Sequence, residues 1–200
     1  AALLYTSGTT SLPKGVKLTH GALSGYIMGA NDAADGSDMG RMILAAPLYH
    51  IAGITSMLNA LYSGRVTIMM SQFEPDQWLD LVASLGATHA FLVPTMLAKV
   101  LESANVGSTD LSSLEALTYG AAPMPPAVIR RAIEMFPDSA GFSGAYGQTE
   151  TTCQIGNSPG QPLKPGSMGR PLPGYPILLM DADGKPVDEG EVCIDLSRRP

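Results

Sequence analysis

Apolar residues recur along this chain in two alternating rhythms. Short, nearly uninterrupted apolar runs at Arg41 to Ala46, Arg65 to Met70, His89 to Val93 and Leu114 to Thr118 predict strands. Between and after them, Ile51 to Tyr62, Pro75 to Leu85, Thr95 to Ser103 and Pro126 to Phe136 space apolar residues three or four apart, which predicts helices. Trp78, Leu81, Val82 and Leu85 fall on one face of the second helix, and Val128, Ile129, Ala132 and Ile133 on the inner face of the last. Upstream, the apolar run Ala1 to Leu4 and the extended-looking Val16-Lys17-Leu18 flank a small-residue stretch. A helix is expected from Gly21 to about Ala34, with Ala22, Leu23, Tyr26, Ile27 and Ala30 on a broad face, and Asp32 to Gly40 is a polar, glycine-bearing connection.

Strands alternating with helices of about ten residues predict crossovers onto a mainly parallel sheet, so the expected fold class is α/β with flanking helices. After Thr151 the rhythm breaks into Pro159, Pro162, Pro165, Pro171, Pro173 and Pro176 interleaved with glycines. Strands follow near Ile177 to Met180 and Glu191 to Asp195, with Asp183-Gly184 as a turn between them, which predicts a small C-terminal β-rich segment. The organisation expected is therefore residues 1–40 as a loop-bearing hairpin and helix, 41–155 as the alternating β/α unit, and 156–200 as a Gly/Pro-rich connection opening a β subdomain. A parallel sheet presents its binding loops at the carboxyl ends of its strands. Three stretches are expected there: Pro47-Leu48-Tyr49-His50, Tyr119-Gly120-Ala121-Ala122-Pro123, and Ala145 to Glu150 after a short segment near Gly141 to Gly144.

Composition narrows the classes. With 45% hydrophobic and 15% charged residues among 200, the chain has the make-up of a globular domain rather than a disordered tail. A formal charge of −6 and no basic cluster beyond Arg198-Arg199 argue against a nucleic-acid surface. No uninterrupted apolar run reaches the roughly 18 residues that suggest a membrane span. Cys153 and Cys193 form no C-x-x-C pair, and a cytoplasmic location is the default expectation. Both ends look cut from a larger domain, since the chain starts inside an apolar run and stops just after one.

Candidate chemistry lies first in Thr6 to Lys14. Gly8 and the hydroxyls of Thr6, Ser7, Thr9 and Thr10 with Lys14 can grip a polyphosphate, or form an ordinary surface turn; G-x-x-x-x-G-K-[ST] opening a helix is absent. Tyr146, Thr149 and Glu150 offer an aromatic plane, a hydroxyl and a carboxylate suited to a base, a phosphate and Mg²⁺, or a structural turn with an exposed acid. Gly120, Ala121 and Ala122 leave a slot for a flat base, or simply cap a strand. His50 follows a core strand and is read as a pocket or gating residue; His20 and His89 are read as structural.

These motifs agree in identity and order with a known family. Thr6-Ser7-Gly8-Thr9-Thr10-Ser11-Leu12-Pro13-Lys14-Gly15-Val16 resembles the phosphate loop of the adenylate-forming (AMP-binding) superfamily, with Ser11 where that pattern usually has glycine. Tyr146-Gly147-Gln148-Thr149-Glu150 resembles its Y-G-x-T-E motif, with Ala145 where a preceding glycine is common. The stretch from Tyr119 to Pro123 resembles its adenine-binding strand end, and the stretch from Pro47 to Gly53 its carboxylate-pocket motif. Gly166 to Gly174 resembles a glycine/proline motif that joins subdomains, and Arg170 within it is read as salt-bridged or solvent-exposed.

The resemblance runs from Leu3 to Asp195 and is greatest to acyl- and aryl-CoA synthetases. It implies a central fragment of the large N-terminal domain of an ATP-dependent carboxylate:CoA ligase, using ATP and Mg²⁺ with CoA and a small carboxylic acid as co-substrates. Implied roles are phosphate binding by Thr6, Ser7, Gly8, Thr9, Thr10 and Lys14, and adenosine binding by Gly120, Ala121, Ala122, Tyr146 and Gly147. Thr149 is implied at the α-phosphate and Glu150 at Mg²⁺, with Lys14, Thr149 and Glu150 as the catalytic set. His50, Gly53, Tyr119 and Ala145 are implied as the border of the acyl pocket. An amino-acid adenylation domain and a non-catalytic nucleotide-binding or interaction module are the alternatives, and the isolated fragment is expected to be inactive.

Overall fold

The structure is a computed structural model that describes residues 1–6, 12–138, 140–157, 167–172, 175, 177–181, 183–188 and 191–194. It opens with an antiparallel hairpin of β1 (Ala2–Thr6) and β2 (Lys14–Leu18), followed by α1 (His20–Ala30). The alternating unit then runs β3 (Arg41–Leu44), α2 (Ile51–Tyr62), β4 (Val66–Met69), α3 (Pro75–Leu85), β5 (His89–Leu92), α4 (Pro94–Glu102), β6 (Ala116–Gly120), α5 (Pro126–Met135) and β7 (Gly141–Gln148). It continues into β8 (Thr152–Gly156) and β9 (Arg170–Pro171), while β10 (Ile177–Met180) and β11 (Glu191–Ile194) pair antiparallel in a sheet of their own.

The main sheet has seven strands in the order β4-β3-β5-β6-β7-β8-β9. The first five in that order are mutually parallel, and β8 and β9 are antiparallel additions at the far edge. This order decides where the helices go. From β3 the chain steps outward to β4, then returns past β3 to β5 and continues through β6 to β7. Right-handed crossovers made in opposite directions deposit their helices on opposite faces. Accordingly α2 lies on one face, while α3, α4 and α5 cover the other.

The covered face holds the main core. Ile43, Ala45, Ala90, Leu92, Leu117 and Tyr119 from alternate strand positions meet Trp78, Leu79 and Val82 of α3, Leu97, Val100 and Leu101 of α4, and Ile129 and Ala132 of α5. A smaller apolar group, Leu4, Leu18, Leu23 and Ile51, seats the hairpin on α1 and the start of α2. Local signals set the helix ends: Thr19 Oγ1 accepts from Ala22 N at 3.1 Å to cap α1, proline opens α3, α4 and α5, and Gly86 at φ +60° closes α3.

Element ends shift by one or two residues in several places, and four departures from the sequence reading have a clear cause. Helix α1 stops at Ala30 rather than Ala34, because Asn31 turns extended and its amide donates to Ile27 O at 3.1 Å and Asn59 Oδ1 at 2.8 Å. Strand β6 begins two residues later than the expected Leu114. Leu114 is buried at the end of a turn, where its N donates to Leu111 O at 3.0 Å, so an apolar residue ahead of the strand read as part of it. Ile133, expected inward, is 44% exposed because α5 buries only the Ile129 and Ala132 stripe. The stretch from Ala145 to Gln148 is strand rather than loop: β8 folds back against it, and only Thr149 to Thr151 form the turn.

Candidate active-site cleft

Because three of the four crossover helices share one face, the opposite face of β5 to β8 is left uncovered beside α2. A cleft of about 880 Å³ occupies that space, walled by the sheet on one side and by α1 and α2 on the other. Its size is that of a small-molecule site. Strand alternation selects the sheet residues that face it: Met42, His89, Phe91, Ala116, Thr118, Ser143 and Ala145 line the cleft, while their neighbours Ile43, Leu117 and Tyr119 belong to the core behind. Thr118 and Ser143 sit side by side, with their hydroxyl oxygens 3.0 Å apart.

The mouth of the cleft lies at the carboxyl ends of the parallel strands. There the structure brings together His50, Ala121, Ala145, Tyr146, Gly147 and Thr149, drawn from three separate stretches of sequence. His50 caps α2, its Nδ1 accepting from Ala52 N at 3.2 Å, so the ring proton sits on the nitrogen left free. Two non-glycine residues at the mouth hold left-handed backbone angles, Ala121 at φ +66° and Thr152 at φ +62°. For a β-branched threonine this is costly, and backbone strain of this kind concentrates at ligand-holding sites.

Other predicted residues stand elsewhere. Tyr119, expected at the acyl border, is one residue out of phase with the cleft; it is buried on the helix-covered side, and burial pushes its phenol pKa up. Gly53 does not line the cleft, because it packs α2 against the preceding turn: a Cβ there would meet Pro47 O at 2.1 Å. Gly120 likewise leaves no open slot, since Ala145 O would lie 2.1 Å from its added Cβ. Ala122 is exposed beyond the mouth.

Glu150 opens onto a second, smaller crevice with Leu18, Ala22, Leu23 and Tyr175 rather than onto the main cleft. Thr6 and Lys14 face each other across the hairpin at its tip. Leu18, in Glu150's crevice, is four residues further along β2, about 14 Å at the usual strand rise. Ser7, Gly8, Thr9 and Thr10 of the phosphate-loop reading, together with Ser11, lie outside the described residues.

Sequence reasoning passed over the groups in the deeper cleft other than His89, which it read as structural. Arg65, His89, Asn31 and Asn59 line its far end, at the amino ends of β4 and β5 and the carboxyl ends of α1 and α2. Burial, with the positive charge of Arg65 nearby, depresses the His89 pKa to about 4, so this imidazole is neutral. Burial also lowers the Arg65 pKa, opposed by the carboxylate of Glu115. Cys153 lines the wall from β8, and burial raises its thiol to about 11. Period-two counting along β6 and β7 is the signal that finds Thr118 and Ser143; no local signal marks Arg65.

A doubly wound α/β domain with strained backbone at the carboxyl ends of its strands, beside a cleft of this size, has the form of a small-molecule site. The chain belongs to the AMP-binding enzyme family, which it matches over residues 1–196. It is 32% identical, over 96% of its own length, to the fatty acid–[acyl-carrier-protein] ligase ScoC of Streptomyces coeruleorubidus. Among solved structures it is similar to the amide bond synthetase McbA of Marinactinospora thermotolerans, with 29% identity, a TM-score of 0.83 and 95% of the chain covered. It is also similar to the O-succinylbenzoate Coenzyme A synthetase of Bacillus subtilis solved with ATP and magnesium ion, with 28% identity, a TM-score of 0.78 and 96% covered. The chain spans 39%, 39% and 40% of these three proteins.

Proposed function

We propose that this chain forms the ATP- and acid-binding centre of an enzyme that activates a carboxylic acid as its acyl-adenylate and transfers the acyl group to the thiol of CoA. The observation that carries the reading is the convergence of Ala121, Tyr146 and Thr149 with His50 at the mouth of a cleft deep enough to bury an acyl body. In the reaction, a carboxylate oxygen of the acid attacks the α-phosphorus of ATP and pyrophosphate departs. The CoA thiol then attacks the acyl carbon, losing its proton, and AMP leaves.

Each residue's part follows from its place. Tyr146 offers a ring face to adenine at the end of β7, and Ala121 offers backbone polar groups fixed by its left-handed conformation. The Thr149 hydroxyl, in the turn between β7 and β8, donates to an α-phosphate oxygen. Thr6 and Lys14 at the hairpin tip belong to the loop that grips the outer phosphates, with Lys14 neutralising charge on the departing pyrophosphate. His50 stands where the acid's carboxylate enters, presenting its free ring N–H.

The donor set fits Mg²⁺ carried on a nucleotide, because one carboxylate, Glu150, stands next to one hydroxyl, Thr149. No group of three or more His, Cys, Asp or Glu among the described residues forms a resident metal cage, and Mg²⁺ is commonly held by one or two carboxylates plus substrate phosphates. When bound it supplies charge neutralisation between two anionic reactants.

No Asp or Glu is among the described residues lining the cleft, which favours an ordinary carboxylic acid over an amino acid, whose ammonium would call for one. The three relatives named differ in acceptor, so CoA is the part of the proposal that rests on motif resemblance alone. The test is ATP–pyrophosphate exchange by the full-length protein across a panel of carboxylic acids, followed by thioester detection with CoA. Acid-dependent exchange with thioester formation is expected. Exchange without thioester overturns CoA as acceptor, and no exchange from demonstrably folded protein overturns adenylation.

A further inference from the structure

The far end of the cleft is chemically unlike the rest of it. Of the described residues that line the cleft, Arg65 is the only Lys, Arg, Asp or Glu, and the walls leading to it are apolar or small: Met42, Ala60, Ala90, Phe91 and Ala116. The guanidinium is a donor-only group, and its Nε is buried without a hydrogen-bond partner among the described residues. Arg65 is half-buried, and a buried donor such as its Nε is stabilised when an anion or acceptor meets it. Glu115 acts on Arg65 through space but is itself exposed to solvent.

Two neighbours complete the arrangement. Asn59 Oδ1 accepts from Asn31 Nδ2 at 2.8 Å, and the Asn59 side chain also hydrogen-bonds the Tyr26 phenol, so the polar wall beside Arg65 is already satisfied and leaves the guanidinium Nε as the group without a partner among the described residues. His89, held neutral, adds no second charge to compete with Arg65. Depth fixes the scale. His50 at the mouth and Asn59 at the far end are nine residues apart on α2, about 14 Å at the helical rise. An extended chain of roughly ten carbons fills that span, at ~1.5 Å per C–C bond foreshortened by the zigzag.

We infer that the acid activated here carries a second carboxylate at the far end of an apolar body, received by Arg65. The inference rests on the acid-activating reading above and names its substrate class, an α,ω-dicarboxylic acid of about ten carbons. It makes Arg65 a specificity-determining residue, remote from the atoms that react.

The test is equilibrium binding of decanedioate and of decanoate by calorimetry, to the full-length protein and to its Arg65→Met and Arg65→Lys variants. Decanedioate is expected to bind the unaltered protein about 10- to 100-fold more tightly than decanoate, the worth of a charge-assisted pair. Arg65→Met is expected to erase that ratio and Arg65→Lys to restore part of it, with decanoate on the same preparations normalising for folded protein. Equal or weaker binding of the diacid overturns the inference, as does a preference that survives in Arg65→Met. Pyrophosphate exchange measured in parallel separates the two proposals. Diacid preference without exchange overturns adenylation and leaves the Arg65 subsite standing; exchange without diacid preference does the reverse.

Discussion

Gly120→Ala tests how the mouth of the cleft is assembled. Strand β6 pairs with β7 in parallel register, with Gly120 opposite Ala145, and a methyl group added at Gly120 would lie 2.1 Å from Ala145 O and 3.0 Å from Ala145 C. Both atoms are backbone, so no side-chain rotation relieves the clash. A tolerable carbon–oxygen contact is ~3.2 Å or more, so the strands must part by about 1 Å against a normal spacing of ~4.8 Å. Ladder hydrogen bonds near ~2.9 Å do not survive that opening. Overpacking costs about 1–3 kcal/mol and each lost bond about 1 kcal/mol, giving a destabilisation on the order of 3–5 kcal/mol. That is a large fraction of the ~5–15 kcal/mol by which domains are stable.

The same opening displaces Ala121, the residue after Gly120, relative to Tyr146, the residue after Ala145. The KM for ATP should therefore rise along with the loss of stability. The assay is denaturant unfolding of the full-length protein beside ATP kinetics. Gly107→Ala is the control, since a Cβ at Gly107 meets nothing within 4 Å. A Gly120→Ala protein with the unfolding midpoint and ATP KM of the Gly107→Ala control would refute the argument that β6 and β7 are held together by the missing side chain.

Further outcomes follow from single groups. His89 titrates near 4 in the folded state and near 6.5 when unfolded, so between those values the unfolded chain binds more protons. Stability is therefore expected to fall as pH drops from about 6.5 toward 4, and His89→Gln to flatten that slope in urea melts, though carboxylates add a background common to both proteins. Cys153, its thiol raised to about 11, is expected to resist iodoacetamide at pH 8 until denaturant is added, checked by site-resolved mass spectrometry. His50→Ala removes the acceptor that caps α2 and is expected to cost about 1 kcal/mol in thermal stability and to raise the KM for the acid more than that for ATP. His50→Asn, which can cap, should recover the stability more fully than the acid KM.

The helices were legible where punctuation is strong. Ile51–Tyr62 and Pro75–Leu85 form at the residues expected, bounded by the turn at Ser63 and Gly64, by Pro75, and by Gly86. Strand ends were less so: Leu114, the buried last residue of a turn, read as strand, and Ala145 to Gln148 of β7 read as loop. The mouth residues were legible as motifs, yet their orientation was not. Tyr119 and Thr118 are adjacent and face opposite sides of the sheet, and nothing local says which side will stay open. Arg65 was illegible for a deeper reason. Its place beside His89 depends on β4 and β5 flanking β3, an order that only the folded sheet creates.

Topology also separates the cleft's two tasks. The groups suited to handling ATP come from the carboxyl ends of β6 and β7, where strain at Ala121 and the turn at Thr149 fix polar atoms. The groups suited to receiving the far end of the acid come from the amino ends of β4 and β5. Between them lies most of the length of α2, about 14 Å, beyond the range at which substitutions normally couple. Changes at Arg65 and at Tyr146 should therefore combine additively in their effects on diacid and ATP binding. A parallel sheet with all but one of its crossover helices on the same face achieves this without extra structure: the open face supplies a trough, α2 roofs it, and strand polarity gives the trough two chemically distinct ends.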